Sequence, residues 1–110
     1  MVVLTGTDSY LQLAMQNKAA GCITAPANLI SPQLREVWDL MVAGKDPSQA
    51  QERVTELRHI LEKYPPFQPT IKALLHRLYK LPRWSVKPPL MDLNESIVDQ
   101  AASELEKIIA

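Results

Sequence analysis

Two short β-forming runs with a helix between them constrain this chain more than any other feature. Val2-Val3-Leu4 is the first run and Cys22-Ile23-Thr24-Ala25 the second. Between them Leu11, Ala14, Met15 and Ala19 recur at helical spacing. Two strands joined through a helix should lie parallel, with a right-handed crossover. Parallel strands are normally buried on both faces inside a larger sheet. An isolated pair is marginal in water, and both members are edges with unpaired N–H and C=O groups. The pattern therefore predicts an α/β architecture whose sheet is incomplete without further strands.

Local signals place the remaining elements. Asp8 or Ser9 can cap the first helix, and Gly21 is placed to close it as the residue beyond the C-cap. Ser31 before Pro32 predicts a second helix, with Leu34, Val37, Trp38, Met41 and Val42 as its buried stripe and Gly44 at its end. Asp46-Pro47 starts a third, with Gln49 placed to complete a capping box. Its seam is Ala50, Val54, Leu57, Leu61 and Tyr64, and Pro65-Pro66 stops it. Pro69 opens a fourth, with Ile71, Leu74, Leu75 and Leu78 along one side. Residues 81–93 read as an irregular connector. Asn94 then caps a last helix with the stripe Ile97, Val98, Ala101, Leu105, Ile108 and Ile109.

Charge and composition narrow the function classes. Twelve Lys and Arg balance twelve Asp and Glu. That balance gives no electrostatic reason to expect nucleic acid or an acidic membrane as partner. No window approaches 18 consecutive apolar residues, so no transmembrane helix is expected. The first residues lack the basic and apolar regions of a signal peptide. Cys22 is the only cysteine. It cannot form an internal disulfide, and a cytoplasmic setting is expected.

In parallel α/β folds, functional groups gather where strands end and βα loops begin. That selects Thr5-Gly6-Thr7-Asp8-Ser9 and Thr24-Ala25-Pro26-Ala27-Asn28. Gly6 can let a backbone approach a ligand, or can simply make a turn. Asp8 and Ser9 can hydrogen-bond hydroxyls, or Asp8 can serve only as a cap. Cys22 reads as an inert strand residue. His59 and His76 lie on separate helices without metal-ligand spacing, and no metal or other cofactor is expected. Lys72 sits on a helix, whereas a nucleophilic amine needs a desolvated pocket. Trp38 and Trp84 read as packing residues. With only Gly6, Gly21 and Gly44 available, no phosphate-cradling loop can be built.

At the two loops the sequence resembles a known family. Leu4-Thr5-Gly6-Thr7-Asp8, then Ala20-Gly21-Cys22-Ile23-Thr24-Ala25-Pro26-Ala27-Asn28-Leu29, is similar to the last two strand-loop units of the dihydrodipicolinate synthase and N-acetylneuraminate lyase family. The similarity continues through Gly44-Lys45-Asp46, Pro69-Thr70-Ile71-Lys72-Ala73 and Val86-Lys87-Pro88-Pro89-Leu90. It implies a (β/α)₈ TIM barrel of ~250 residues with a three-helix C-terminal extension. Residues 1–45 would be the last two βα units and residues 46–110 the extension. The complete enzyme would be a homotetramer or homodimer.

The resemblance also implies a chemistry. Members are lyases or aldolases that act on pyruvate or a related 2-oxo acid through a Schiff base. Their lysine lies on strand six and their proton-relay tyrosine on strand five. Both would lie outside this chain, so it would contain no catalytic residue. What matches is the supporting wall: Gly6, Asp8 and Ser9 toward the second substrate, and the Ile23 carbonyl toward the amine, with Thr24 and Ala25 beside it. Asn28 would hold its loop. Thr7, Ser9 and Ala25 depart from the pattern of sialic acid lyases, which leaves dihydrodipicolinate synthase, the 2-keto-3-deoxy-sugar-acid aldolases and the 4-hydroxy-2-oxoglutarate aldolases. Three readings follow: a fragment of such an enzyme, one half of a split barrel, or a non-catalytic helical module. The first predicts exposed apolar surface at Val2, Val3, Leu4 and Ile23.

Overall fold

A computed structural model describes residues 1–109. The elements are β1 (Leu4–Thr5), α1 (Leu11–Gln16), β2 (Gly21–Cys22), α2 (Ala27–Val42), α3 (Ser48–Glu62), α4 (Phe67–Tyr79) and α5 (Glu95–Ile109). A single 3₁₀ turn, Asp8–Tyr10, leads into α1. Two compact units are present, Met1–Arg58 and the residues from His59 onward, and the boundary falls inside α3.

In the first unit β1 and β2 pair in parallel, with Leu4 opposite Gly21 and Thr5 opposite Cys22. The Ala20 amide donates to the Val3 carbonyl at 2.8 Å and the Ile23 amide to the Thr5 carbonyl at 3.0 Å. Among the described residues these two strands are the whole sheet. The strands are shorter and displaced relative to the β-branched runs. β1 takes Leu4–Thr5 rather than Val2–Leu4, and β2 takes Gly21–Cys22 rather than Cys22–Ala25. Strand character in a parallel sheet depends on a partner for each backbone group, and propensity alone does not extend the ladder past its pairing. The apolar residues around the ladder face solvent: Val2 is 77% exposed, Val3 53%, Leu4 45% and Ile23 72%.

α1 packs on α2 and the strands. It is shorter than the apolar spacing predicts. It ends at Gln16, and Lys18 takes the left-handed conformation at φ 70°. Gly21 therefore does not close this helix; it begins β2. The Ala19 amide returns to the Ala14 carbonyl at 2.9 Å, which satisfies an end carbonyl that glycine was expected to serve. α2 departs from helical geometry at Ile30 (φ −123°, ψ 29°). The regular helix resumes at Ser31-Pro32, where the sequence places its start. A proline in a first turn loses no hydrogen bond, because its N–H would have no intrahelical partner there. Leu29, Ile30, Leu34 and Val37 form its buried side, and Gly44 takes φ +70° just past its end.

α3 is capped by Asp46, whose Oδ1 accepts from the Ser48 amide at 3.0 Å and the Ser48 hydroxyl at 2.6 Å. Ser48, not Gln49, is the side chain that joins this cap. Ala50, Val54 and Leu57 are buried along the helix, with Leu61 one turn further on.

In the second unit α4 packs against α5. α4 starts at Phe67, so Pro69 lies in its first turn. Ile71, Ala73 and Leu74 are buried on it, and Val98, Ala101, Ala102 and Leu105 on α5. Each fully buried leucine or valine among them contributes about 1.5–3 kcal/mol relative to exposure. Asn94 caps α5 as its sequence predicts, its Oδ1 accepting from the Ser96 amide at 2.8 Å. The connector is held by side chains: Lys72 Nζ donates to the Ser85 carbonyl at 2.7 Å, and Arg83 pairs with Asp92 and Glu95 at 3.1 and 3.2 Å.

Candidate functional site

The two strand-end loops lie side by side because β1 and β2 are paired, and their side chains meet at Asp8. This carboxylate has no exposed surface. Its Oδ2 accepts from the Thr24 hydroxyl at 2.9 Å and from Arg58 Nη1 at 3.3 Å. Its Oδ1 is buried without a hydrogen-bond partner. Such an acceptor costs about 1–3 kcal/mol, and the guanidinium on the same carboxylate offsets that cost. Arg58 is itself only 19% exposed.

Gln51 fastens the backbone of the same loop. Its Nε2 donates to the Asp8 carbonyl at 3.1 Å and the Ser9 carbonyl at 3.2 Å, while its Oε1 accepts from the Gln12 amide at 2.9 Å. A buried glutamine is satisfied here by a turn whose carbonyls and amide point the same way. Asp8 is therefore not the cap of α1. The Leu11 amide bonds to the Asp8 backbone carbonyl instead, and the side chain reaches across to the neighbouring loop.

The remaining candidates divide into two groups. Thr24 and Ser9 belong to the Asp8 network, Thr24 through its hydroxyl and Ser9 through its carbonyl. Gly6, Ile23 and Ala25 are solvent-exposed. Gly6 has no left-handed backbone, and a Cβ added there would meet nothing within 4 Å. Its lack of a side chain is not required by the packing of this chain. The Ile23 amide holds the Thr5 carbonyl, and the Ala25 carbonyl accepts from Asn28 Nδ2 at 2.9 Å. Asn28 thus closes its own loop. Gln51 and Arg58 were not legible as site residues. They lie 43 and 50 positions from Asp8, and on α3 they read as ordinary polar positions of an amphipathic helix.

The other candidates have structural roles or none. An open, mainly apolar groove of about 430 Å³ lies beside the strands, lined by Leu4, Gly21, Cys22, Leu34, Arg35 and Trp38 among others. It includes none of Gly6, Asp8 and Thr24. Trp38 donates to the Ala20 carbonyl at 2.9 Å, with Arg35 stacked 4.7 Å from its ring centre. No group of three or more His, Cys, Asp and Glu side chains is placed to hold a metal among the described residues. No described helix is long and apolar enough to cross a membrane.

Burial, and then the charge of Asp8, push the Cys22 thiol above its ordinary value of 9.0. A raised folded-state pKa means that the protonated thiol is favoured by folding. The resulting stability is complete below pH 9 and is lost as pH rises through the folded value. Alkaline unfolding should therefore be less steep in Cys22→Ala than in the parent between pH 9 and 11, read by Trp38 fluorescence in a Trp84→Phe background. Identical curves would contradict this environment for the thiol.

The model of the dihydrodipicolinate synthetase family matches residues 1–108. The chain belongs to this family. An uncharacterized DapA-like lyase from Chloroflexus aurantiacus is 30% identical over 108 residues, which is 98% of this chain and 36% of that protein. The chain thus spans about a third of the length of the curated relative it matches. Membership reaches across both loops and all the helices. The Asp8 network therefore lies in a segment that the family shares from end to end, and not in an appended one.

Proposed function

We propose that this chain supplies the last two βα units and the helical extension of a (β/α)₈ barrel lyase that acts on pyruvate or a related 2-oxo acid. The barrel's other strands, and the amine that forms the Schiff base, come from sequence outside it. The observation that carries this reading is the two-stranded parallel sheet with solvent on its flanks. Family membership gives the chemistry its class, and the 36% coverage of the relative leaves room for the remaining strands.

The residues present suit a wall and not a nucleophile. Schiff-base catalysis needs a lysine of depressed pKa beside a positioned acid or base. Neither β1 nor β2 carries a lysine. Lys72, on α4, donates instead to the Ser85 carbonyl of the connector. In the assembled barrel, exposed Gly6 and Ala25 leave room for the second substrate. The Ile23 carbonyl orients the amine, a hydrogen bond contributing about 1 kcal/mol. Asp8, Ser9 and Thr24 fix the shape of the wall from beneath. The acting enzyme is a homotetramer or homodimer in the cytoplasm, with no cofactor.

Borohydride trapping with pyruvate tests the reading. The chain alone should take up no label. Mixed or joined with the complementary barrel portion, label should appear on a lysine of that portion. Label on any lysine of this chain would overturn the assignment.

A further inference from the structure

We propose that Gln51 and Arg58, on α3, are positioning residues for the strand-end loop 5–9, so that the helix following the βα units is a working part of the site wall. The inference rests on the reading of that loop as substrate-facing.

Four observations converge on it. Arg58 places its guanidinium on a carboxylate that is wholly buried, so the pair is formed away from bulk solvent. Gln51 uses both ends of its amide on the same turn, two carbonyls and one amide within 3.2 Å. Both residues share one face of one helix, seven positions apart, as two turns of helix require. Thr24 ties the second loop to the same carboxylate. A displacement of α3 would therefore be felt at both loops together. By contrast Arg53, on the same helix, makes only a half-exposed pair with Glu36 at 3.5 Å. It is the natural control.

The chemistry favours a positioning role over a catalytic one. Asp8 has no exposed atom and cannot meet a substrate directly. The loop residues around it can, at Gly6 and its neighbours. A guanidinium that pairs with the carboxylate and orients it fixes where those backbone groups stand. Charge-assisted hydrogen bonds are the stronger class, and their loss should show as local opening.

Hydrogen exchange on the 110-residue chain tests this. The reporters are the amides of Leu11, Gln12 and Ile23, which bond within the two loops or to Gln51, with Val37 of α2 as reference. Arg58→Met should speed Leu11 and Ile23 by about tenfold or more, and Gln51→Leu should do the same at Gln12. Val37 should be unchanged. Arg58→Lys, which keeps the charge, should restore most of the protection, and Arg53→Met should alter none of it. In the assembled lyase, Arg58→Met should raise KM for the second substrate with pyruvate trapping intact. The proposal is overturned if the reporters are unprotected in the parent chain, are unmoved by Arg58→Met, or accelerate only in step with Val37. Failure of trapping in the complete protein would sink the lyase reading and leave the clamp standing. Unchanged exchange would do the reverse.

Discussion

Asp8→Ala will destabilise the strand-bearing unit by about 3 kcal/mol, the scale for removing one partner of a buried ion pair. The substitution takes the Asp8 carboxylate away from Arg58, which is only 19% exposed, and it strips Thr24 of its acceptor. The buried and unpartnered Oδ1 works in the opposite direction, since its removal relieves an existing cost. The charge pairing is the larger of the two, because hydrogen bonds to charged groups exceed neutral ones about twofold. Asp8→Asn should therefore fall between the parent and Asp8→Ala. Urea unfolding followed by Trp38 fluorescence in the Trp84→Phe background measures the difference. A midpoint unchanged in Asp8→Ala would mean that the network around the buried carboxylate carries no net energy.

Val3→Asp is the second large effect, and its size depends on what surrounds the chain. Val3 is 53% exposed. In the isolated chain the change should cost no more than about 0.5–1 kcal/mol, as for other surface substitutions. In a completed parallel sheet the same position is closed on both faces. An unpaired carboxylate there costs several kcal/mol, roughly 4 or more. The variant should fold as the parent does alone, yet fail to assemble with the complementary barrel portion. Co-purification of tagged partners reads this directly. Normal assembly of Val3→Asp would mean that β1 is not an interior strand.

The sequence made the local features legible and left the long-range ones dark. Asp46 and Asn94 are short-range devices, each satisfied two residues further on, and Ser31-Pro32 stands where the regular part of α2 resumes. Gly44 beyond α2 is the same kind of signal. Residue types do not reveal the stop of α1, because Lys18 adopts a conformation usually left to glycine or asparagine, and nothing in its side chain announces that. The strands lie a residue or more from the β-branched runs. Their extent is decided by pairing between segments, not by β-branched content within one. Asp8 illustrates the limit most clearly. As an isolated residue before a helix it reads as a cap. Only the tertiary approach of α3, 50 residues away, turns it into the centre of a charge network. The exposure of Val2, Val3, Leu4 and Ile23 is legible in the sequence, because it follows from counting strands and not from locating them.

The claim on which the rest depends is that this sheet is unfinished. Sedimentation equilibrium of the isolated chain over a hundredfold concentration range, paired with urea unfolding of the same samples, addresses it most directly. The account expects concentration-dependent association through the bare edges and apolar flanks, and a transition that shifts with concentration. A single monomeric species that unfolds in one steep, concentration-independent step would contradict it.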